Sequence, residues 1–430
     1  MNKKRFKMQE IAEDFKFAPF GANLKSKDYT ESGVPIIQGG NIVEQKFEWN
    51  NKLYTSEEKF QSLKRSHCIS GDLVFPKIGN RTVGSAAIVP AVEKHKVFLL
   101  STNMMRVSVK PEIANIEYVY YYFCQPEVRQ YIVSTAGGGA QPIFNLTTLK
   151  NFEVELPSLL IQKKIANILL TYDRLIENNT RRIKILEEMA RSLYDEWFVK
   201  FHFPGREQPQ MVDSELGPIP EEWQVKTLGN VCNIVMGQSP KSEFYNEIGE
   251  GLPFHQGVTN FGARFPTDKT YCSVLNRIAE AGDILFSVRA PVGRINIATK
   301  KIIIGRGLCA IRSKLENQAF LFQQLKEKFQ EEDSIGGGTI FKSVTKEDMH
   351  GIKIIVPPSL LMDKFEGIIQ PVFQSIEVLT TKNANLRQTR DLLLPKLISG
   401  EIDVENLDIE TGVINESGVV SNSSQEAIAG

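Results

Sequence analysis

Gly71-Asp72-Leu73-Val74-Phe75 and Gly282-Asp283-Ile284-Leu285-Phe286 are nearly the same statement made twice, and their surroundings decide the fold. Upstream of the first lies Val34-Pro35-Ile36-Ile37-Gln38-Gly39; upstream of the second lies Leu252-Pro253-Phe254-His255-Gln256-Gly257. Downstream, Gly137-Gly138-Gly139 and Leu156-Pro157-Ser158-Leu159-Leu160 are answered by Gly336-Gly337-Gly338 and Pro357-Pro358-Ser359-Leu360-Leu361. Order is kept while the offset drifts from 218 to 201 residues. After each proline comes a helical pattern of about 40 residues. The chain is therefore a tandem duplication of one β-rich unit followed by one long helix.

Composition bounds the rest. A length of 430 residues implies two to four domains, and 42% apolar content is enough to give each a core. No apolar run approaches the roughly 20 residues of a spanning helix, and no apolar segment follows the basic N-terminus, so neither membrane nor signal peptide is expected. Five scattered cysteines (68, 124, 232, 272, 309), never spaced as Cys-x-x-Cys, suit a reducing cytoplasm and argue against a disulfide scaffold or zinc ribbon. Net charge is zero, but residues 401–430 carry seven carboxylates and no Lys or Arg. Without them the body holds 51 basic against 44 acidic groups, or +7. Phosphate contact alone would give so mild an excess little affinity, and a partner would be needed to supply more.

Along the chain, residues 1–155 read as an irregular α+β unit, with strands near Leu73–Phe75, Ser85–Val89 and Met104–Val109 and a helix near Ile116–Gln130. Residues 223–355 repeat the plan, with strands at Asp283–Val288 and Ile302–Ile304 and a helix near Asn317–Phe329. Long helices are expected over 156–203 and 356–400, a linker over 204–222, and an acidic tail over 401–430, disordered beyond about 410. In the first helix Ile165, Ile168, Tyr172, Leu175, Asn179, Leu186, Met189 and Leu193 follow a heptad spacing. In the second, Phe365, Val372, Leu379, Leu386 and Leu393 hold every a position, whereas the d positions 375, 382 and 389 are polar. Asn179 would cost stability but fix register, and Pro371 should kink or delay the second helix. Each helix would span roughly 60 Å at 1.5 Å per residue. A single apolar stripe must be buried, either against the other helix in a coiled coil or against the helix's own domain.

No catalytic constellation is visible. There is no Gly-x-x-x-x-Gly-Lys-Ser/Thr, neither triple-glycine run continues as Gly-x-Gly-x-x-Gly, and no His-Glu-x-x-His occurs. The histidines (67, 95, 202, 255, 350) never stand at metal-ligand spacing, and the Asn-Pro-Pro-aromatic signature of exocyclic-amine methylation is missing. Several features do fit DNA. Lys77 and Arg289 each follow a Gly-Asp strand, with Arg81 and Arg294 close behind, a placement suited to phosphate or guanine contact or to generic surface cations. Gln38 and Gln256 share one place in the repeat, with Asn41 and Asn260 nearby; their amides could pair with adenine or simply build turns. Gly138 and Gly337 could let backbone approach a phosphate, or sit at a hairpin tip.

A resemblance adds to this. Leu156-Pro157-Ser158-Leu159-Leu160-Ile161-Gln162-Lys163-Lys164-Ile165 resembles the conserved regions of type I restriction–modification specificity subunits. So do Ser192-Leu193-Tyr194-Asp195-Glu196-Trp197-Phe198, Gly217-Pro218-Ile219-Pro220-Glu221-Glu222-Trp223 and, most specifically, Leu392-Leu393-Leu394-Pro395-Lys396-Leu397-Ile398-Ser399-Gly400-Glu401-Ile402. The second copy departs from the first at Met362-Asp363-Lys364, which stands where the first has Ile161-Gln162-Lys163.

The resemblance implies two target recognition domains, each reading one half of a bipartite asymmetric site in double-stranded DNA. It implies two long antiparallel helices forming a coiled coil with pseudo-two-fold symmetry, which sets the spacer and docks two modification subunits. Two restriction subunits would complete the complex. S-adenosylmethionine, ATP and Mg would serve in those partners, with no cofactor and no catalysis in this chain. The competing readings are a self-contained DNA methyltransferase or nuclease with an unrecognised site, and a coiled-coil adaptor with no nucleic-acid role.

Overall fold

The structure, a computed structural model, describes residues 2–17, 23–50, 52–90, 95–137, 142–205, 209–329 and 343–409. It divides into two units, one built from residues up to Asn178 together with those from Asn383 onward, the other from Asn179–Lys382. The division falls inside both long helices, so each unit carries a part of each.

In the first unit a four-stranded antiparallel sheet runs in the order Ala87–Ile88, Leu73–Pro76, Met104–Val109, Ala12–Phe17. A five-stranded sheet runs Tyr29–Thr30, Tyr54–Thr55, Val34–Ile37, Val97–Leu100, His67–Ile69, and its centre is parallel, with Ile36 opposite Leu99. The parallel pair explains the unbroken apolar runs: Val34–Ile37 is buried throughout, as strands covered on both faces are. A two-stranded ribbon pairs Lys4–Lys7 with Glu153–Leu156 and leads into the first long helix.

The second unit repeats every one of these sheets. Its four strands are Cys232–Met236, Leu308–Ser313, Ile284–Ser287 and Ile295–Ile297, in that order. Its five are Tyr245–Asn246, Tyr271–Cys272, Leu252–His255, Ile302–Ile304 and Ile278–Ala279, again with a parallel centre at Phe254–Ile303. Its ribbon pairs Gln224–Thr227 with Lys353–Val356.

The helix expected at Ile116–Gln130 is two helices, Ile116–Cys124 and Pro126–Thr135. Gln125 between them is extended, as a residue before proline tends to be. Residues 204–222 are more than a linker, since Met211–Val212 pairs with Ile219–Pro220. The start of the acidic tail is also packed: Val404 is buried, and Lys164 Nζ donates to the carbonyls of Glu405 (2.8 Å) and Leu407 (2.7 Å). Residues 410–430 lie outside the described part.

The first long helix spans Leu159–Tyr194 and continues as a π-turn over Asp195–Val199; the second spans Ser359–Ser399 and runs through Pro371 without interruption. Within each unit the two segments pack together. In the first, Ile161, Ile165 and Leu169 share a core with Leu394, Leu397 and Ile398. Asp173 meets Arg390, and the Asn383 amide donates to the Ile176 carbonyl, so the chains run antiparallel. In the second, Tyr194 and Trp197 pack on Phe365 at ring-centre distances of 6.1 and 6.0 Å.

The seam differs from the heptad expected. Ile165, Tyr172, Leu186 and Leu193 face inward, and so do Phe365, Val372, Leu379, Leu386 and Leu393, all buried or half-buried. The second line of the seam, however, lies four residues after these, not three: Leu169, Ile176 and Ala190 in one helix, Ile369, Ile376, Asn383 and Leu397 in the other. Leu175 is 48% and Met189 55% exposed, Ile168 is half-buried, and Ile368 is 50% exposed. The apolar neighbours Ile168–Leu169 and Leu175–Ile176, with Met189–Ala190, made both phases readable, and the polar residues at 375, 382 and 389 are polar because they face water. Asn179 is half-buried, and the buried seam amide is Asn383.

Among the described residues no helix is long and apolar enough to cross a membrane. All five cysteines are free; Cys124 is half-buried and the others buried, and burial pushes the Cys232 thiol up to about 12.

Candidate nucleic-acid interface

The Gly-Asp turns are scaffolding. Gly71 and Gly282 take φ of +91° and +86°, where a side chain would be strained. The Asp72 carboxylate accepts from the Ile69 N–H (2.8 Å) and Asp283 from the Glu280 N–H (2.8 Å), closing each turn in the same way. Each then pairs with an arginine from the neighbouring strand: Asp72 with Arg106 at 3.1 Å, Asp283 with Arg312 at 2.6 Å. Burial pushes the Asp283 carboxyl upward, opposed by Arg312.

These turns deliver the following strands to a junction of three loops. In the first unit the Ser101 N–H donates to the Ile37 carbonyl (2.8 Å) and the Lys77 N–H to that of Asn103 (2.7 Å). In the second the Gly305 N–H donates to His255 (2.8 Å) and the Val288 N–H to Gly307 (2.9 Å). Matching bonds make Gln38 the counterpart of Gln256 and Thr102 that of Arg306. They also make Lys77 the counterpart of Val288, so Lys77 and Arg289 stand one residue out of register.

Gln256 and Arg306 are exposed at this junction. The Ser239 hydroxyl donates to Gln256 Oε1 (2.8 Å) and accepts from the Arg306 backbone N–H (3.2 Å), which ties the Gln256 amide to the Arg306 loop. Arg289, also exposed, follows directly on Val288. The first unit offers Gln38 and Lys77, both half-buried, around Thr102 and Asn103. Thr102, Asn103, Ser239 and Arg306 escaped the sequence reading. The available signal was Gly305-Arg306-Gly307, a cation between two glycines that permit close packing.

The other candidates fall elsewhere. Asn41 is fully buried: its Oδ1 accepts from the Gln38 N–H (2.9 Å) and its Nδ2 donates to the Glu48 carbonyl (3.0 Å), so it braces a turn and is not presented to a base. Asn260 is half-buried, and its carbonyl accepts from the Thr267 N–H (2.8 Å). Arg81 and Arg294 are exposed but differently placed, Arg81 with its carbonyl bound by Arg129 and Arg294 with its N–H on the Ser287 hydroxyl. Gly138 and Gly337 lie outside the described residues. Among the described residues no group of three or more His, Cys, Asp or Glu could hold a metal ion.

Comparison with known proteins places this architecture. The sequence pattern of the type I restriction modification DNA specificity domain matches residues 4–188 and again residues 220–388. A Methanocaldococcus jannaschii protein named for the specificity subunit of type I restriction enzyme MjaX is 33% identical over 383 residues, 87% of this chain and 88% of that one. The MjaIX specificity subunit of the same organism is 27% identical, over 90% of each chain. The chain belongs to the type I restriction–modification DNA specificity family. The crystal structure of the type I restriction–modification S subunit from M. genitalium shares the fold, with a TM-score of 0.60 over 92% of this chain and 96% of that one at 17% identity.

Proposed function

We propose that this chain is the DNA specificity subunit of a type I restriction–modification complex and acts without catalysing a reaction itself. Residues 1–155 and 223–355 are its two target recognition domains, each reading one half of a bipartite, asymmetric site in double-stranded DNA. The paired helices, 156–203 and 356–400, set the gap between half-sites and dock two modification subunits. Methylation with S-adenosylmethionine belongs to those subunits, and ATP- and Mg-dependent cleavage to two restriction subunits, all in the cytoplasm.

The observation that supports this reading is a conserved frame with unlike side chains at its reading end. Both units have the same strand order and the same three-loop junction. Around it Gln38 and Gln256 are common to the two units, whereas Thr102 and Lys77 in one are replaced by Arg306 and Val288-Arg289 in the other. Amides can pair with adenine and arginine with guanine, so two such sets select two different half-sites. A mildly basic body fits a subunit that shares phosphate contact with partners. Membership of a DNA specificity family favours this reading over a self-contained enzyme or an adaptor with no nucleic-acid role.

A domain exchange tests it. Residues 1–155 are replaced by the corresponding residues of a relative with a known site, and the chimera is assembled with its modification subunits. One half of the methylated site should become the donor's while the other half stays. A site that keeps both original halves would contradict the assignment.

A further inference from the structure

In both units a short hairpin follows the glutamine turn and reaches the first long helix. In the first unit Ile42 pairs with Phe47 and Val43 with Lys46, turning at Glu44 and Gln45. In the second Phe261 pairs with Pro266, and the Gly262 N–H donates to the Phe265 carbonyl (3.0 Å). One side of each hairpin is fastened to the recognition domain. Gln45 Oε1 accepts from the Ala86 N–H (2.8 Å), beside the edge strand Ala87–Ile88. The Arg264 carbonyl accepts from the Ile297 N–H (2.8 Å), and the Gly262 carbonyl from the Asn296 amide (3.0 Å), both on the edge strand Ile295–Ile297.

The other side of each hairpin presents one cation to one carboxylate of the first long helix. Lys46 Nζ lies 2.9 Å from Asp173, which also receives the Tyr121 hydroxyl (2.6 Å) and Arg390 from the second long helix. Arg264 Nη1 lies 2.6 Å from Glu187. Its guanidinium is 4% exposed and stacks between rings, 3.6 Å from the centre of Phe373 on the second long helix and 4.4 Å from that of Phe322. Nε and Nη2 have no hydrogen-bond acceptor, so those aromatic faces are what receives the rest of the charge. Asp173 and Glu187 are two heptads apart in the sequence.

We infer that these hairpins are orienting clamps: Lys46 and Arg264 are positioning residues that lock each recognition domain's sheet edge to the paired helices and so fix the attitude at which its three-loop junction meets DNA. Both cations are engaged by carboxylates of the first long helix. Each hairpin begins within four residues of Gln38 or five of Gln256, so rotation about a loosened hairpin moves the reading junction itself. The clamps are unequal. The Arg264 side chain is 4% exposed whereas that of Lys46 is 41% exposed, and an exposed pair is worth little. The second domain is therefore held more stiffly than the first.

This rests on the function proposed above, and two readouts keep the two separable. In the free full-length chain, Lys46→Met and Glu187→Gln should speed amide exchange in hairpins 42–47 and 261–266, respectively, by about tenfold or more, with the sheets unchanged. Assembled with its modification subunits, each variant should still choose the same bases. It should, however, lose at least about fivefold of the wild-type preference for the native gap over sites one base pair longer or shorter. Arg264→Met should show the larger loss, and where it fails to fold, Glu187→Gln reports on that clamp. Unchanged hairpin exchange overturns the clamp whatever DNA does, as does folded protein with unchanged gap preference. A wild-type complex that methylates no split site refutes the function while leaving the exchange readout to judge the clamp.

Discussion

Gly305 has no room for a methyl group. A Cβ there would lie 2.7 Å from Gln256 Oε1 and 2.8 Å from Gln256 Cα, against backbone that cannot move without displacing the Gln256 side chain. Gly305→Ala should therefore destabilise by about 1–3 kcal/mol, the range of overpacking, with a lowered denaturant midpoint. Gly71→Ala meets no atom within 4 Å and should cost only the left-handed backbone strain, about 1–2 kcal/mol. A loss below about 0.5 kcal/mol for Gly305→Ala, the range of an unconstrained surface change, would mean that the junction yields freely. The sequence exposes this scale unevenly. Gln38 and Gln256 were found because repetition marks them, yet Asn41 looks the same on paper and is buried, since burial is set by strands far away in the chain. Lys77 and Arg289 are each the first cation after their strand, but Lys77 lies six residues after Gly71 and Arg289 seven after Gly282, and the backbone pairing shows that this one-residue offset is kept in the fold.

Helical elements were more legible, because a stripe repeated over many turns outweighs any one residue. Leu175 and Met189 nevertheless face water, for a physical reason: adjacent apolar residues satisfy spacings of three and of four, and only packing chooses. The choice can be measured. Ile176→Ala should cost about 2–5 kcal/mol, as core truncations do, whereas Leu175→Ala should stay within about 0.5 kcal/mol. The reverse order would restore the rejected seam. Asp173 offers a second test. Burial works to raise its carboxyl, but the Tyr121 hydroxyl, Lys46 and Arg390 outweigh it and hold the group below its ordinary value. A folded value below the unfolded one means the contribution is full above the unfolded carboxylate range, about pH 4, and is lost as pH falls through the folded value. Stability measured in urea between pH 7 and pH 3 should fall less steeply for Asp173→Asn than for wild type. Parallel curves would remove Asp173 from the acid response.

At the scale of the molecule, duplication was the most readable fact. Two sets of short motifs keep their order across drifting offsets, and the two units keep their strand order with them. The sheets themselves were not readable, since the parallel pairing of Val34–Ile37 with Val97–Leu100 joins strands about sixty residues apart and leaves no local trace. Duplicated frame, divergent junction and paired helices converge on one claim: the protein reads two unlike half-sites at a set separation. The direct measurement is to assemble the chain with its modification subunits, saturate a random DNA library, and map every methylated base. Two short unlike blocks of defined sequence with a gap of constant length are predicted. One continuous palindromic block, or half-sites recurring at varying gaps, would contradict the account.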